Sequence, residues 1–529
     1  MDIMSCLLIA RYSKTAALVV VAIFLARTTY SGFIYPAFLT PLRAIPTPKL
    51  RSWTKGSYTI PPLSLIAQLR LWKSTIPNRG LIRYYLPGNQ ERVLVTSVEA
   101  LNDILVAKAG DFTKPAAVRS RLSLIAGNGL LLSEGEVHKA QRKALMPAFS
   151  FRHVKNLYPV FWAKAVEMAE CIEGKFLASG DDVDRPPIQE IRNWATRATL
   201  DIVGAAALGH DFGSLRTAHN ALLKQYRLMR QDPSRLEMLV GVGLSLFTRH
   251  GGQLLSIFPT RRTRTVKEAS NFVRTFCRDL VLEKRKEPRD GEDCKAEKEQ
   301  RMDIASVAFR SAVLTDDELV DQMMTFLAAG HGTTSHALQW AVYALCKDHD
   351  VQQRLRDELR EHGINKETTP TFSPADIDTL PYLRAICNET LRLYPPVPST
   401  IREATRETVV AGYRIPAGTQ FAISPAVVNV DAELWGPDAG TFNPDRWMGE
   451  GRANSGGVRN HHGFLTFLQG PRSCIGAAFA KAELACLVAA LVVRFRMELE
   501  DPGKEEELTK QGVGSGPADG VHVRFELVK

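Results

Sequence analysis

The sequence predicts a mainly helical fold with a minor β portion, formed as one large domain. Three observations predict it. Long amphipathic segments fill residues 150–350, strand-like material is confined to short stretches near 80–95, 400–425 and the C-terminus, and no repeat or Gly/Ser linker divides the 529-residue body. At about 150 residues per domain the length alone would suggest three or four domains, but nothing in the composition marks their boundaries.

The elements follow in order. Apolar stretches open the chain, and residues 15 to about 38 are long enough to cross a bilayer, with Arg27 as the one charge. A cleaved signal peptide would need a small-residue cleavage site, and the apolar character runs on too far for that. The expectation is therefore a retained N-terminal membrane anchor at 1–40. Arg11 and Lys14 precede the segment, whereas Arg43, Lys49, Arg51 and Lys55 follow it. That excess places the body in the cytosol, behind a membrane segment that crosses once. Pro41, Pro46 and Pro48 make 41–50 a stiff connector and leave 51–529 as the main domain.

Next, "LWKSTIPNRGLIRYYLPGNQERVLVTSVEALNDILVAK" reads as helix, two short strands joined by a Pro-Gly turn, then helix. Residues 284–301 and 449–463 are polar, apolar-poor loops. Between them, "TDDELVDQMMTFLAAGHGTTSHALQWAVYALCK" starts with a capping box, Thr315 with Glu318, and acids in its first turn. Beyond Met323 it is apolar on nearly every face, so it should be buried. At 1.5 Å per residue it spans roughly 50 Å, the width of a domain. Gly330, Gly332 and the hydroxyl pair Thr333–Thr334 at its middle suggest that something lies against its backbone there.

Composition excludes some classes. Sixty-seven basic and 57 acidic residues give a net charge of +10, but the basic residues are dispersed and form no nucleic-acid tract. They read as a solvated basic surface, with an acidic partner or anionic lipid as the alternative. Eight cysteines, at 6, 171, 277, 294, 346, 387, 474 and 486, include no CxxC pair and fit a reducing compartment.

One cysteine differs. In "FLQGPRSCIGAAFAKAELACLVAALVVRF", Cys474 stands just before a helix N-terminus, whose free N–H groups and dipole favour a thiolate. Gly470 and Gly476 let backbone approach a flat ligand, Arg472 supplies a fixed cation, and Phe467 stands seven residues before the sulfur.

"FLQGPRSCIG" resembles the FxxGxRxCxG haem loop of the cytochrome P-450 family, complete at Phe467, Gly470, Arg472, Cys474 and Gly476. "ETLR" resembles its ExxR helix (Glu389, Arg392), "FNPDRW" its PERF-type motif (Arg446), and "AGHGTTS" its oxygen-binding helix. Four motifs in the family's order make the resemblance specific, and it covers roughly residues 45–529.

The resemblance implies the cytochrome P-450 fold and haem b (iron protoporphyrin IX), with Cys474 as the thiolate metal ligand. Arg472, Arg402, and Arg142 with His138 one turn away would hold the propionates. His138 stands where the family commonly has Trp. Glu389, Arg392 and Arg446 would form a structural charge network. Gly330 and Gly332 would open room on the distal face. Thr333, beside Thr334, would help deliver protons to bound dioxygen.

Gly332 departs from the family, which usually carries Asp or Glu there. Water, His331 or a substrate hydroxyl could carry the protons instead. No flavin or nicotinamide fingerprint appears, so NADPH would act only indirectly, through NADPH–cytochrome P-450 reductase, with cytochrome b5 as a further donor. Lys139, Arg142 and Lys143 are candidates for the basic docking face. The implied activity is monooxygenation of a lipophilic small molecule, in the style of filamentous-fungal members that tailor polyketides and terpenoids, with 116–132 and 235–258 lining the pocket. A haem-thiolate isomerase or dehydratase needing no reductase is the alternative; a haem sensor or carrier is a third reading.

Overall fold

A computed structural model describes residues 15–16, 18–19, 22–58, 64–179, 188–217, 220–229, 231, 233–247, 260–286, 303–310, 313–365, 373–505 and 515–528. Helices dominate, as the periodicity predicts. The seven used below are α1 (Ala116–Ala126), α2 (Gly135–Leu145), α3 (Tyr158–Ser179), α4 (Ile191–Ile202), α5 (Asp316–Lys347), α6 (Pro381–Leu393) and α7 (Ala477–Arg494).

The sheet lies to one side. Its strands are β1 (Leu81–Leu86), β2 (Gln90–Val95) and β3 (Phe112–Thr113), then, after the short β4 (Ile188–Glu190), β5 (Thr400–Ala404). Strands β6 (Thr408–Val410) and β7 (Tyr413–Ile415) form a hairpin, and β8 (Gln420–Ile423) completes the main sheet in the order β1-β2-β8-β5-β3. Among the described strands only β2 and β8 run parallel; Arg402 on β5 opposes Phe421 on β8. Two C-terminal strands, β9 (Phe495–Leu499) and β10 (His522–Leu527), complete a smaller sheet with β4 in the order β4-β10-β9. The expected Pro-Gly turn between β1 and β2 is Pro87–Asn89, with Gly88 and Asn89 both at positive φ.

The core sits where α3, α4, α5 and α7 meet. Helix α5 is buried through most of its length, and its capping box forms as predicted: Thr315 Oγ1 accepts from the Glu318 N–H at 3.3 Å, and Glu318 accepts from the Thr315 N–H at 2.9 Å. A second core lies under the sheet, with Leu81, Val93, Phe421 and Leu465.

That second core includes Leu42 and Ile45, 3% and 2% exposed. Part of the Pro-rich stretch expected as a connector is therefore seated on the sheet, where Pro46 O also accepts from the Arg83 N–H at 2.8 Å. Before it, Tyr30–Leu39 is a wide π-helical segment containing Pro36. Asn89 Nδ2 donates to Gly32 O at 2.7 Å, and the Phe33 and Trp53 rings stack at 5.9 Å. Among the described residues no helix is long and apolar enough to cross a membrane. Residues 1–14, 17, 20 and 21 of the anchor region, 248–258 of the pocket segment and 287–301 of the charged loop lie outside the described residues.

Candidate functional site

The loop around Cys474 is shaped by two backbone facts. Leu468 and Gly470 have positive φ, 55° and 72°, and a Cβ at Gly470 would stand 2.0 Å from Leu105 O. Glycine is therefore needed there for both conformation and space. The turn is closed by the Ser473 N–H donating to Gly470 O at 3.0 Å and the Cys474 N–H donating to Phe467 O at 2.8 Å. Gly476 then caps α7; a Cβ there would meet only Phe149, at 3.8 Å. Phe467 lies in edge contact with Phe464, and Lys481 approaches both rings.

Cys474 is the accessible cysteine among the six described. Exposure together with a titration dominated by burial places its sulfur in a recess rather than on the outer surface. Burial pushes the thiol up, while the Gly476 N–H and the Arg142 guanidinium pull it toward the thiolate.

A ring of cations shares this neighbourhood. Arg142 on α2 donates to Ser473 O at 2.8 Å and to Ser473 Oγ at 3.2 Å. It is turned inward onto the cysteine loop, so of the three expected docking cations only Lys139 and Lys143 are exposed. Arg472 donates to Ser133 O at 2.6 Å and pairs with Glu134. Arg402 is buried and donates to Ile401 O at 3.0 Å; burial first, then Arg472, brings its guanidinium down to about 10, against the pull of Glu134. His138, one turn before Arg142, is pushed down to about 4 by burial and then by Arg472, Arg142, Lys114 and Arg402. Its imidazole is therefore neutral here, a hydrogen-bonding group rather than a cation.

Three members escaped the sequence reading. Lys114 is pushed down to about 7, by burial and then by Arg402. Glu134 also accepts from the Lys114 N–H at 3.0 Å, and Arg119 adds its charge to Lys114 and Arg472. Isolated charged residues in loops and short helices carry no pattern; only the side chains' convergence reveals them.

Beside the loop lies the charge network. Arg392 on α6 is bidentate to Glu389, with both contacts at 2.7 Å and both side chains fully buried. Arg392 also donates to Asn429 O, Ala439 O and Thr441 O, while Glu389 accepts from Trp447 Nε1 at 2.9 Å and the Asn443 N–H at 3.0 Å. Arg446 stands 3.5 Å from the same carboxylate. Asn429 joins this network to the cysteine loop: its amide donates to Arg392 O and Thr466 Oγ1, and its carbonyl accepts from the Leu465 N–H.

On α5 the structure revises the expected roles. Gly330 does not open the recess, because a Cβ there would meet Val203 Cγ2 at 2.6 Å. It lets α5 approach the segment after α4. The accessible backbone position is Ala329, with Thr333 half-buried one turn on. Thr333 Oγ1 donates to Ala329 O at 2.7 Å, the ordinary back-bond of a helical threonine. His331 points elsewhere: it is buried against Tyr226, ring centroids 4.7 Å apart, with Nδ1 at 2.5 Å from Leu327 O. Gly332 is buried too. Thr334 faces α7, not the recess.

What Thr334 faces is Glu483. Burial pushes this carboxyl well above its ordinary value; the Thr334 hydroxyl pulls it down without closing a hydrogen bond. An acid with a raised folded-state pKa holds its proton more tightly when native. Its stabilising contribution is full below its unfolded value of about 4.3 and is lost as pH rises above it. Glu483→Gln, which carries no titrating proton, should therefore gain melting temperature relative to the parent as pH is raised from about 5 to about 8. Thermal melts along that series check this; parallel curves would contradict a neutral buried carboxyl.

An accessible thiol on a glycine-framed loop shares its neighbourhood with buried and half-buried cations that have one carboxylate among them. Buried cations need anionic partners. A haem fits both demands, its iron by the sulfur and its two propionates by the cations. The site thus has the make-up of a haem-thiolate protein.

Comparison with known proteins agrees. The cytochrome P450 family model matches residues 79–522. The chain is 45% identical to the cytochrome P450 monooxygenase sphH of Aspergillus fumigatus, over 99% of this chain and 95% of that one. It is 40% identical to the cytochrome P450 monooxygenase FSL4 of Gibberella zeae, over 96% of this chain and 92% of that one. The crystal structure of the cytochrome P450 CYP102L1 superposes with a TM-score of 0.69, covering 87% of this chain and 97% of that chain at 21% identity, which supports the fold. The chain belongs to the cytochrome P450 family and is an oxidoreductase of its monooxygenase type.

Proposed function

We propose that this chain inserts one oxygen atom of O2 into a lipophilic small molecule, a polyketide or terpenoid intermediate of secondary metabolism. Electrons come from NADPH through a separate reductase, with cytochrome b5 as an accessory donor. The fungal relatives, named as cytochrome P450 monooxygenases, support the reaction type. Cys474 is the metal ligand, Arg402 and Lys114 with neutral His138 bind the propionates, and Arg472 anchors Glu134 and Ser133 beside them, while Arg142 fixes the loop and favours the thiolate. When bound, haem supplies activation of dioxygen. The chain's own part is to exclude water from the sulfur and to hold Thr333 at the distal wall. Delivering a proton requires Thr333 to exchange its back-bond to Ala329 for a bond into the recess.

The domain sits on the cytosolic face of the endoplasmic reticulum membrane. Exposed Leu18, Val19, Ile23 and Phe24 at the N-terminus, followed by basic residues, support this placement.

The observation that carries the proposal is the accessible sulfur of Cys474. The reduced, carbon-monoxide-treated protein should show the Soret band of thiolate ligation, and Cys474→Ala should lose it. A band that survives that substitution refutes the assignment. Gly332, with the Thr333 back-bond, favours an isomerase or dehydratase as the second reading. Product formation without NADPH or reductase would establish that reading instead.

A further inference from the structure

Arg119 does not belong to the partnerships above. It lies on α1, which is fixed to the central helix where Thr325 Oγ1 donates to Ala126 O at 2.7 Å. Its Nε is buried and has no hydrogen-bond partner among the described residues. A buried guanidinium edge without an acceptor calls for a ligand. Its charge reaches Lys114 and Arg472, so it stands at the cationic end of the recess.

The charges around it do not balance. Lys114, Arg119, Arg142, Arg402 and Arg472 are five cations. Against them stand Glu134 and two propionates, because a ferric haem core would itself carry the positive charge that offsets the Cys474 thiolate. Arg472 is taken by Glu134 and Ser133, and Arg142 by Ser473 beside the thiolate. Lys114 and Arg402 suffice for the propionates. Two cations remain, and of these Arg142 is hydrogen-bonded to Ser473, whereas Arg119 keeps a free edge. Along the same helix Val118, Leu122, Leu124 and Ile125 are half-buried and offer apolar surface next to that charge.

We infer that the substrate carries a carboxylate at the end of an apolar chain, and that Arg119 binds it. This rests on the monooxygenase reading and narrows its lipophilic substrate to an amphiphilic acid. A planar guanidinium suits a carboxylate, and a charge-assisted bond of this kind is sensitive to esterification.

The test uses the haem-loaded protein and two probes, lauric acid and methyl laurate, titrated by shift of the Soret band. The parent should bind the acid about 10- to 100-fold more tightly than the ester. Arg119→Met should lose that preference while keeping its haem content and its affinity for the ester; Arg119→Lys should keep part of it. Equal responses to acid and ester in the parent, the absence of both included, overturn the inference. So does a preference that survives in Arg119→Met, or loss of haem in that variant, which would assign the arginine to the propionates. Failure of the monooxygenase reading is seen separately, as absence of the thiolate-type band from the parent before any ligand is added.

Discussion

Replacing Glu389 with alanine is expected to destabilise the fold by about 3–5 kcal/mol, because the change strands a buried charge. Arg392 would keep its three carbonyl acceptors, Asn429 O, Ala439 O and Thr441 O, but these are dipoles and cannot neutralise it. Trp447 Nε1 and the Asn443 N–H lose their acceptor at the same time. Against a total stability on the order of 5–15 kcal/mol, that loss should collapse soluble yield and lower the denaturant midpoint sharply. The coupling is testable in a double-mutant cycle. Arg392→Met should cost less in a Glu389→Leu background than in the parent, because there it no longer orphans a carboxylate. Additive losses would mean that the pair is held by its carbonyl neighbours rather than by charge.

Gly470→Ala should be nearly as damaging, for a steric reason. The new methyl would stand 2.0 Å from the Leu105 carbonyl oxygen, on a backbone at φ 72° that L residues avoid. Loop and neighbour must move apart, at about 2–4 kcal/mol. The movement passes directly to the sulfur, since Ser473 is bonded to Gly470 and Cys474 to Phe467. Lower haem content and a displaced Soret band should therefore accompany the lower melting temperature. Gly476→Ala is the control: φ is −88° and the nearest contact is an ordinary 3.8 Å, so a change within about 1 kcal/mol is expected. If the two variants behave alike, the geometry assigned to the loop is wrong.

These two glycines show how far the sequence could be read. Both are letters of one motif, which located the loop, as two other motifs located the charge network and the capping box the start of the long helix. It could not say that one glycine avoids a clash and the other merely caps a helix. On α5 the limit is periodicity. A helix apolar on nearly every face does not declare which side looks into a recess, so Gly330 was assigned to open space and instead meets Val203. His331 turns to Tyr226 for the same reason. Glu483 is one acid in an apolar helix, and its burial follows from packing that no local pattern encodes.

Asn429 has a consequence for how the molecule assembles. Its one carboxamide holds the end of α6 and the start of the cysteine loop, partners 36 and 37 residues away in the chain. Neither strand of that knot can settle before the other arrives, so the loop should acquire its shape late, in the same cooperative step that buries Arg392. Cofactor capture then doubles as a reporter of maturation: a newly made chain that retains haem has already passed the most demanding stage of its folding.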